Sequence, residues 1–142
     1  MNDRYLYRAK MKNKNEWVFG SLVYVQHQDK YYILKHTENE MFEALEECEI
    51  DPSTICQCTA VPDKNSKIAY EHDIIKTPVG YAKIEWNYSP SPTDHHINVG
   101  FEVFFLDATA NDNYRHDLGY WIGKSEVIGS VFDNPELLEV GE

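Results

Sequence analysis

Two short runs bring together side chains that bind metals or move protons: Glu71-His72-Asp73 and Asp94-His95-His96. Carboxylate and imidazole groups are the ligands of hydrolytic metal centres and also serve as general acids and bases. Spacing argues against convergence in either run, because neighbours on an extended chain point to opposite sides unless the backbone takes a special geometry. No two histidines stand four apart on a helical pattern, the spacing that would give one metal-binding face. A metal-assisted hydrolase using Glu71, His72, Asp73, His95 or His96 is therefore the enzymatic alternative, and the expectation is no metal and no other cofactor. Arg115-His116-Asp117 offers an acid with its orienter, or a solvated loop.

Nucleophilic chemistry finds less support. Cys56 and Cys58 fall on one face of a strand, with Cys48 upstream, but this is not a zinc-knuckle spacing. Buried, reduced thiols without a bridge are expected. There is no Gly-x-Ser-x-Gly elbow, and the seven glycines are too scattered for a phosphate loop. The chain reads as a non-enzyme. Aromatic pairs at Tyr31-Tyr32, Trp86 with Tyr88, Phe104-Phe105 and Tyr120-Trp121 are stacking platforms or core. Where aromatics are consecutive, one of the two must face away from its own sheet's core, towards a second layer or a subunit interface.

Asp and Glu number 24 against 13 Lys and Arg, a net charge of -11, which opposes binding to a polyanion and leaves no direct nucleic-acid partner expected. No apolar run approaches the roughly 20 residues of a membrane helix, and none follows Met1-Asn2-Asp3-Arg4, so a cytoplasmic protein without a membrane partner is expected.

These groups must be held by a mainly β framework. A hydrophobic fraction of 42% is too high for disorder, and an aromatic fraction of 13% favours strands. Tyr5 to Lys10, Glu16 to Val25 with a break at Gly20, and Tyr31 to Lys35 read as a β-meander with polar turns. Glu38 to Glu49 predicts a short helix, with Met41, Phe42 and Leu45 on one stripe, ended by Pro52. Gly80 to Tyr88 alternates, with Ala82, Ile84, Trp86 and Tyr88 on one face. Ser89 to Asp94 interrupts regular structure as a proline-containing loop before the strand Ile97 to Phe105. Ala108 to Gly119 is a polar excursion, Tyr120 to Gly123 and Glu126 to Phe132 are the last strands, and Asn134 caps a turn starting at Pro135. The class is mainly β, a small barrel or sandwich with an SH3-like element in the middle and one or two short helices. It spans residues 1–142 as one domain, or as two β subdomains divided near 48–60.

The stretch from Ile50 to Ile75, with Gln57, Thr59, Asp63-Lys64-Asn65, Tyr70-Glu71, Asp73 and Ile74, resembles the signature of the YopX family. Tyr7-Arg8-Ala9 near the start agrees with it, as does Glu126 to Leu138 near the end, including Asn134, Pro135 and Leu137. The resemblance implies a phage or prophage origin and a mainly β fold, and supplies no catalytic residue. Ala60, Ser66 and His72 stand where the family pattern has glycine. One or two of these turns are expected to be rebuilt, with Asn65 taking the left-handed conformation. Read without the family, Asp63-Lys64-Asn65-Ser66 is the tight turn of a hairpin and the signature is scaffold. The functional expectation is a non-enzymatic accessory protein that binds a protein partner or itself as a homo-oligomer. An acidic decoy occupying the groove of a host DNA-binding enzyme is the alternative from another class.

Overall fold

The computed structural model describes residues 5–38, 43–90 and 97–139. The chain divides into two compact units, Met1–Cys58 and Thr59–Glu142.

In unit 1, alternation of apolar and polar residues gives β1 (Tyr7–Lys10), β2 (Trp17–Val25) and β3 (Lys30–Glu38), joined as antiparallel hairpins. The expected meander is present. β4 (Glu43–Glu49) adds to β3, and the first residues of β5 (Cys56–Pro62) add to β1, with Cys56 opposite Arg8 and Gln57 opposite Tyr7. Ile33 is fully buried, with Leu22 directly across on one side and Cys48 on the other; Ala9, Val18 and Ile50 complete this core. Burial of Cys48, Cys56 and Cys58 as free thiols is the environment expected of small apolar side chains. Thr54, in a 3-10 turn over Pro52–Thr54, accepts the Lys10 N–H at 2.8 Å, satisfying a donor that β1 leaves over.

The helix expected over Glu38 to Glu49 is not formed. β3 runs on to Glu38 and residues from Glu43 are strand, while Met41 and Phe42 lie outside the described residues. Glu-Ala-Leu-Glu-Glu favours a helix intrinsically, but three isolated turns are marginal in water. The open edge of β3 instead offers a ladder from Tyr32–Glu49 to Glu38–Glu43, and only the strand delivers Cys48 to the core beside Ile33.

Unit 2 contains the end of β5, β6 (Ile68–Tyr70), β7 (Asp73–Thr77), β8 (Gly80–Pro90), β9 (Ile97–Phe105) and β10 (Glu126–Ser130). The sheet order β10-β7-β8-β9 is antiparallel throughout, with a bulge in β10 between Val127 and Gly129. β8 continues through Ser89 to Pro90, which pairs with Ile97, so the proline loop begins later than expected; Asp94, His95 and His96 lie outside the described residues. Ile75, Ala82, Ile84, Val103 and Phe105 fill the core. Trp86, on the same face as Ile84 by alternation, is 48% exposed and stands edge-on to Phe101.

Two further expectations fail together. Ala108 to Gly119 contains α1 (Ala108–Asn113), and Tyr120 to Gly123 is not a strand but lies in α2 (Leu118–Trp121) and a 3-10 turn (Ile122–Lys124). The Asp107 carboxylate accepts the N–H groups of Thr109 and Ala110, which starts α1. Leu118, Trp121 and Ile122 sit three and four apart, so one helical turn buries all three, whereas a strand would send Trp121 and Ile122 to opposite faces. Among the described residues neither sheet closes into a barrel and the mainly β, sandwich-like class stands; the helical turn expected from Pro135 is present as a 3-10 turn over Pro135–Glu139, while the helix expected over Glu38 to Glu49 is replaced by those after Asp107.

Gly20 shows how closely β2 and β3 approach: a Cβ there would meet the Leu34 carbonyl oxygen at 2.2 Å. Gly20→Ala is expected to cost about 1–3 kcal/mol through overpacking, read as a lower urea midpoint with an unchanged slope.

Candidate functional site

The hairpin between β5 and β6 is built around one carboxylate. Asp63 Oδ1 accepts the N–H groups of Asn65 at 2.8 Å and Lys67 at 2.9 Å, closing the turn. Its Oδ2 accepts the N–H of Val127 at 2.9 Å, 64 residues away, while the Lys64 N–H donates to the Ser125 carbonyl. Burial works to raise the Asp63 pKa, but the three backbone donors and the charge of Lys67 outweigh it and hold the group below its ordinary value.

Asp73 repeats the device at the next turn. Its buried carboxylate accepts the Tyr70 N–H at 2.8 Å, and Ile74 follows it into the core. Thr59 donates its hydroxyl to the Ala69 carbonyl at 2.7 Å. At the C-terminal end, Asn134 Oδ1 accepts the Ser130 N–H and sits where a Cβ on Gly129 would be; Pro135 then opens a 3-10 turn in which the Leu137 N–H reaches the Asn134 carbonyl. Gln57 and Arg8 face each other's strands in unit 1, and the Arg8 guanidinium lies 4.4 Å over the Trp17 ring. The signature residues thus occupy separate turns and ladders and do not converge on one pocket.

The three positions where the family pattern has glycine keep the glycine conformation. Ala60, Ser66 and His72 have φ of 62°, 68° and 70°, and Asn65 is not among the positive-φ residues. The turns are not rebuilt, because the hydrogen bonds on both sides of each turn fix its path and the substituted residue must adopt it.

At His72 this geometry gathers titratable side chains. The His72 N–H donates to the Ile84 carbonyl at 2.7 Å, and the His72 carbonyl accepts from Val131, so its backbone is tied to β8 and to the end of β10. Its ring is 3.1 Å from Glu85 Oε2 through Nδ1 and 3.7 Å from Glu71 Oε2 through Nε2, with Phe132 edge-on at 5.6 Å. The hydrogen bond to Glu85 raises the His72 pKa, aided by the charges of Glu85 and Glu71 and opposed by burial and Lys83. Burial works to raise Glu85, and the His72 and Lys83 contacts more than offset it, leaving Glu85 lowered.

Of the Glu71-His72-Asp73 run, the first two meet, and Asp73 turns away to the Tyr70 backbone. Glu85 was not singled out by sequence; its signal is its place on the polar face of the alternating strand, opposite Ala82 and Ile84. His116 does not pair with Asp117: its two ring nitrogens are each 2.8 Å from the Val103 and Asn111 carbonyl oxygens, and Asp117 instead takes Arg115 at 3.0 Å. Unit 1 carries a cleft of about 870 Å³, lined mainly by Leu6, Met11, Trp17, Phe19 and Leu34, with Glu16 and Lys35 as its charged residues.

Antiparallel sheets with buried acids that hold their turns define a mainly β protein. The YopX protein family matches residues 6–139, and the chain belongs to it. Among curated proteins none matches. Membership supports an accessory protein of the phage type.

Asp63→Asn is expected to lose about 2–3 kcal/mol, since an amide cannot replace a charged acceptor on both sides. Because the folded pKa is depressed, wild-type Asp63 stabilises the protein above the unfolded value of about 3.9 and loses that contribution as pH falls through the folded value. Unfolding midpoints measured from neutral to acid pH should therefore converge for the two proteins at low pH; a constant gap would contradict the assignment. Ala60→Gly should raise stability by about 0.5–1 kcal/mol, as relief of a left-handed alanine exceeds the entropy glycine adds to the unfolded chain, measured by thermal unfolding.

Proposed function

We propose that this protein is a phage or prophage accessory module that acts by association, first with a second copy of itself, and not by catalysis. The observation that supports this reading is the edge of β9. Val103 donates to the His116 carbonyl and Glu102 bridges Asp117, so the second half of β9 is covered. Among the described residues, the first half, Ile97-Asn98-Val99-Gly100-Phe101, pairs with β8 alone.

An uncharged strand of this length with one open side is a template for another strand. β4, the edge strand of unit 1, contrasts with it in composition: four of its seven residues are glutamates, which discourages pairing. Antiparallel addition of β9 to β9 about a two-fold axis would join two four-stranded sheets, with the exposed Trp86 ring, edge-on to the partly buried Phe101, beside the seam. The acid surplus lends less to the decoy reading. Asp63 and Asp73 are spent on backbone donors, Glu49 on Lys12 and Lys30, and Asp117 on Arg115.

Light scattering and sedimentation of the full chain should give a dimer, and Val99→Lys should give a folded monomer through like-charge repulsion across the axis. A monomeric wild type, or a Val99→Lys variant that dimerises as well as wild type, would sink this proposal.

A further inference from the structure

We propose that Glu71, His72 and Glu85 form a binding site for one borderline divalent transition-metal ion of the Zn²⁺ class. One ring nitrogen and one carboxylate oxygen from each glutamate lie within 4.8 Å of one another. Ligands at 2.0–2.2 Å in a tetrahedral shell are about 3.4 Å apart; His72 Nδ1 stands 3.1 Å from Glu85 Oε2, while Glu71 Oε2 lies 3.7 Å from the other ring nitrogen, Nε2, so the Glu71 carboxylate must swing to the nitrogen that Glu85 faces.

The scaffold explains why adjacent residues converge here. On a regular strand Glu71 and His72 would point to opposite sides. The left-handed backbone at His72 breaks that alternation and turns its ring towards β8, where Glu85 is fixed in the ladder opposite Glu102. Hydrogen bonds from the His72 backbone to Ile84 and Val131 hold the ring's origin, and Phe132 walls one side. The three side chains are 21%, 25% and 25% exposed, sheltered enough to be ordered and open enough for an ion to enter.

Donor type selects the ion. One nitrogen and two oxygens, without sulfur, suit Zn²⁺, Co²⁺ or Ni²⁺ better than Ca²⁺, which takes six to eight oxygens. Two carboxylate charges balance the ion. Lys83 approaches the other Glu85 oxygen, Oε1, at 3.7 Å, leaving Oε2 to the site. Three protein ligands leave at least one position for water.

The test uses the full, untagged chain, stripped with chelator and titrated with Co²⁺ by absorption and Zn²⁺ by calorimetry. One equivalent is expected for wild type and for a His95→Ala/His96→Ala double variant. Binding should weaken at least tenfold in Glu85→Gln and in His72→Gly, which removes the ring while suiting its backbone conformation. Circular dichroism establishes that each variant is folded; should His72→Gly unfold, Glu71→Gln and Glu85→Gln decide. No stoichiometric binding by wild type, undiminished binding in the folded site variants, or loss of binding in the His95/His96 variant would each overturn the proposal.

Discussion

The buried carboxylate of Asp63 is the constraint on which unit 2 depends. A single ionised side chain closes the β5–β6 turn and, through the Val127 N–H, fixes the start of β10. β10 can then lie against β7, with its bulge at Gly129 accommodating Asn134, and its end reaches the His72 carbonyl. Burying a carboxylate is costly unless donors surround it; here three backbone N–H groups do so, and they are groups that would themselves be costly to bury unpaired. Asp73 does the same on a smaller scale at the following turn.

This arrangement separates what the signature holds from what it leaves available. Its aspartates, Asp63 and Asp73, serve the backbone, each at its own turn. The same turns set the path at His72, and that path lets a histidine meet Glu71 and a glutamate from the next strand. Scaffold and site are thus one device, with the left-handed residue as the joint. The acid surplus follows the same division: unit 1 has ten acids to seven bases and unit 2 fourteen to six, yet several of the acids in unit 2 face inward or pair locally.

Where a residue's burial follows from alternation, the fold is legible in the sequence. The meander of β1 to β3 and the strand from Gly80 show this, since polar and apolar residues change every second position. β4 is not legible, because Glu, Ala and Leu favour a helix locally and only the open edge of β3 and the slot beside Ile33 make a strand the better solution. Tyr120-Trp121-Ile122 misleads in the other direction: β-forming residues take a helical turn because it buries Leu118, Trp121 and Ile122 together. The site was half legible. Glu71 and His72 stand out as types, but their convergence depends on a backbone sign, and intrinsic preference would assign the left-handed conformation of the β5–β6 turn to Asn65 rather than to Ser66.

The most direct measurement of the central claim is native-state hydrogen exchange at the Val127 amide. If the Asp63 carboxylate organises unit 2, this amide should exchange only through the largest openings of the unit, as slowly as Ile75 and Ala82 in the sheet core, and with Asn65 and Lys67 protected although their side chains are exposed. Exchange of Val127 at the rate of an open loop, with Ile75 still protected, would contradict the account.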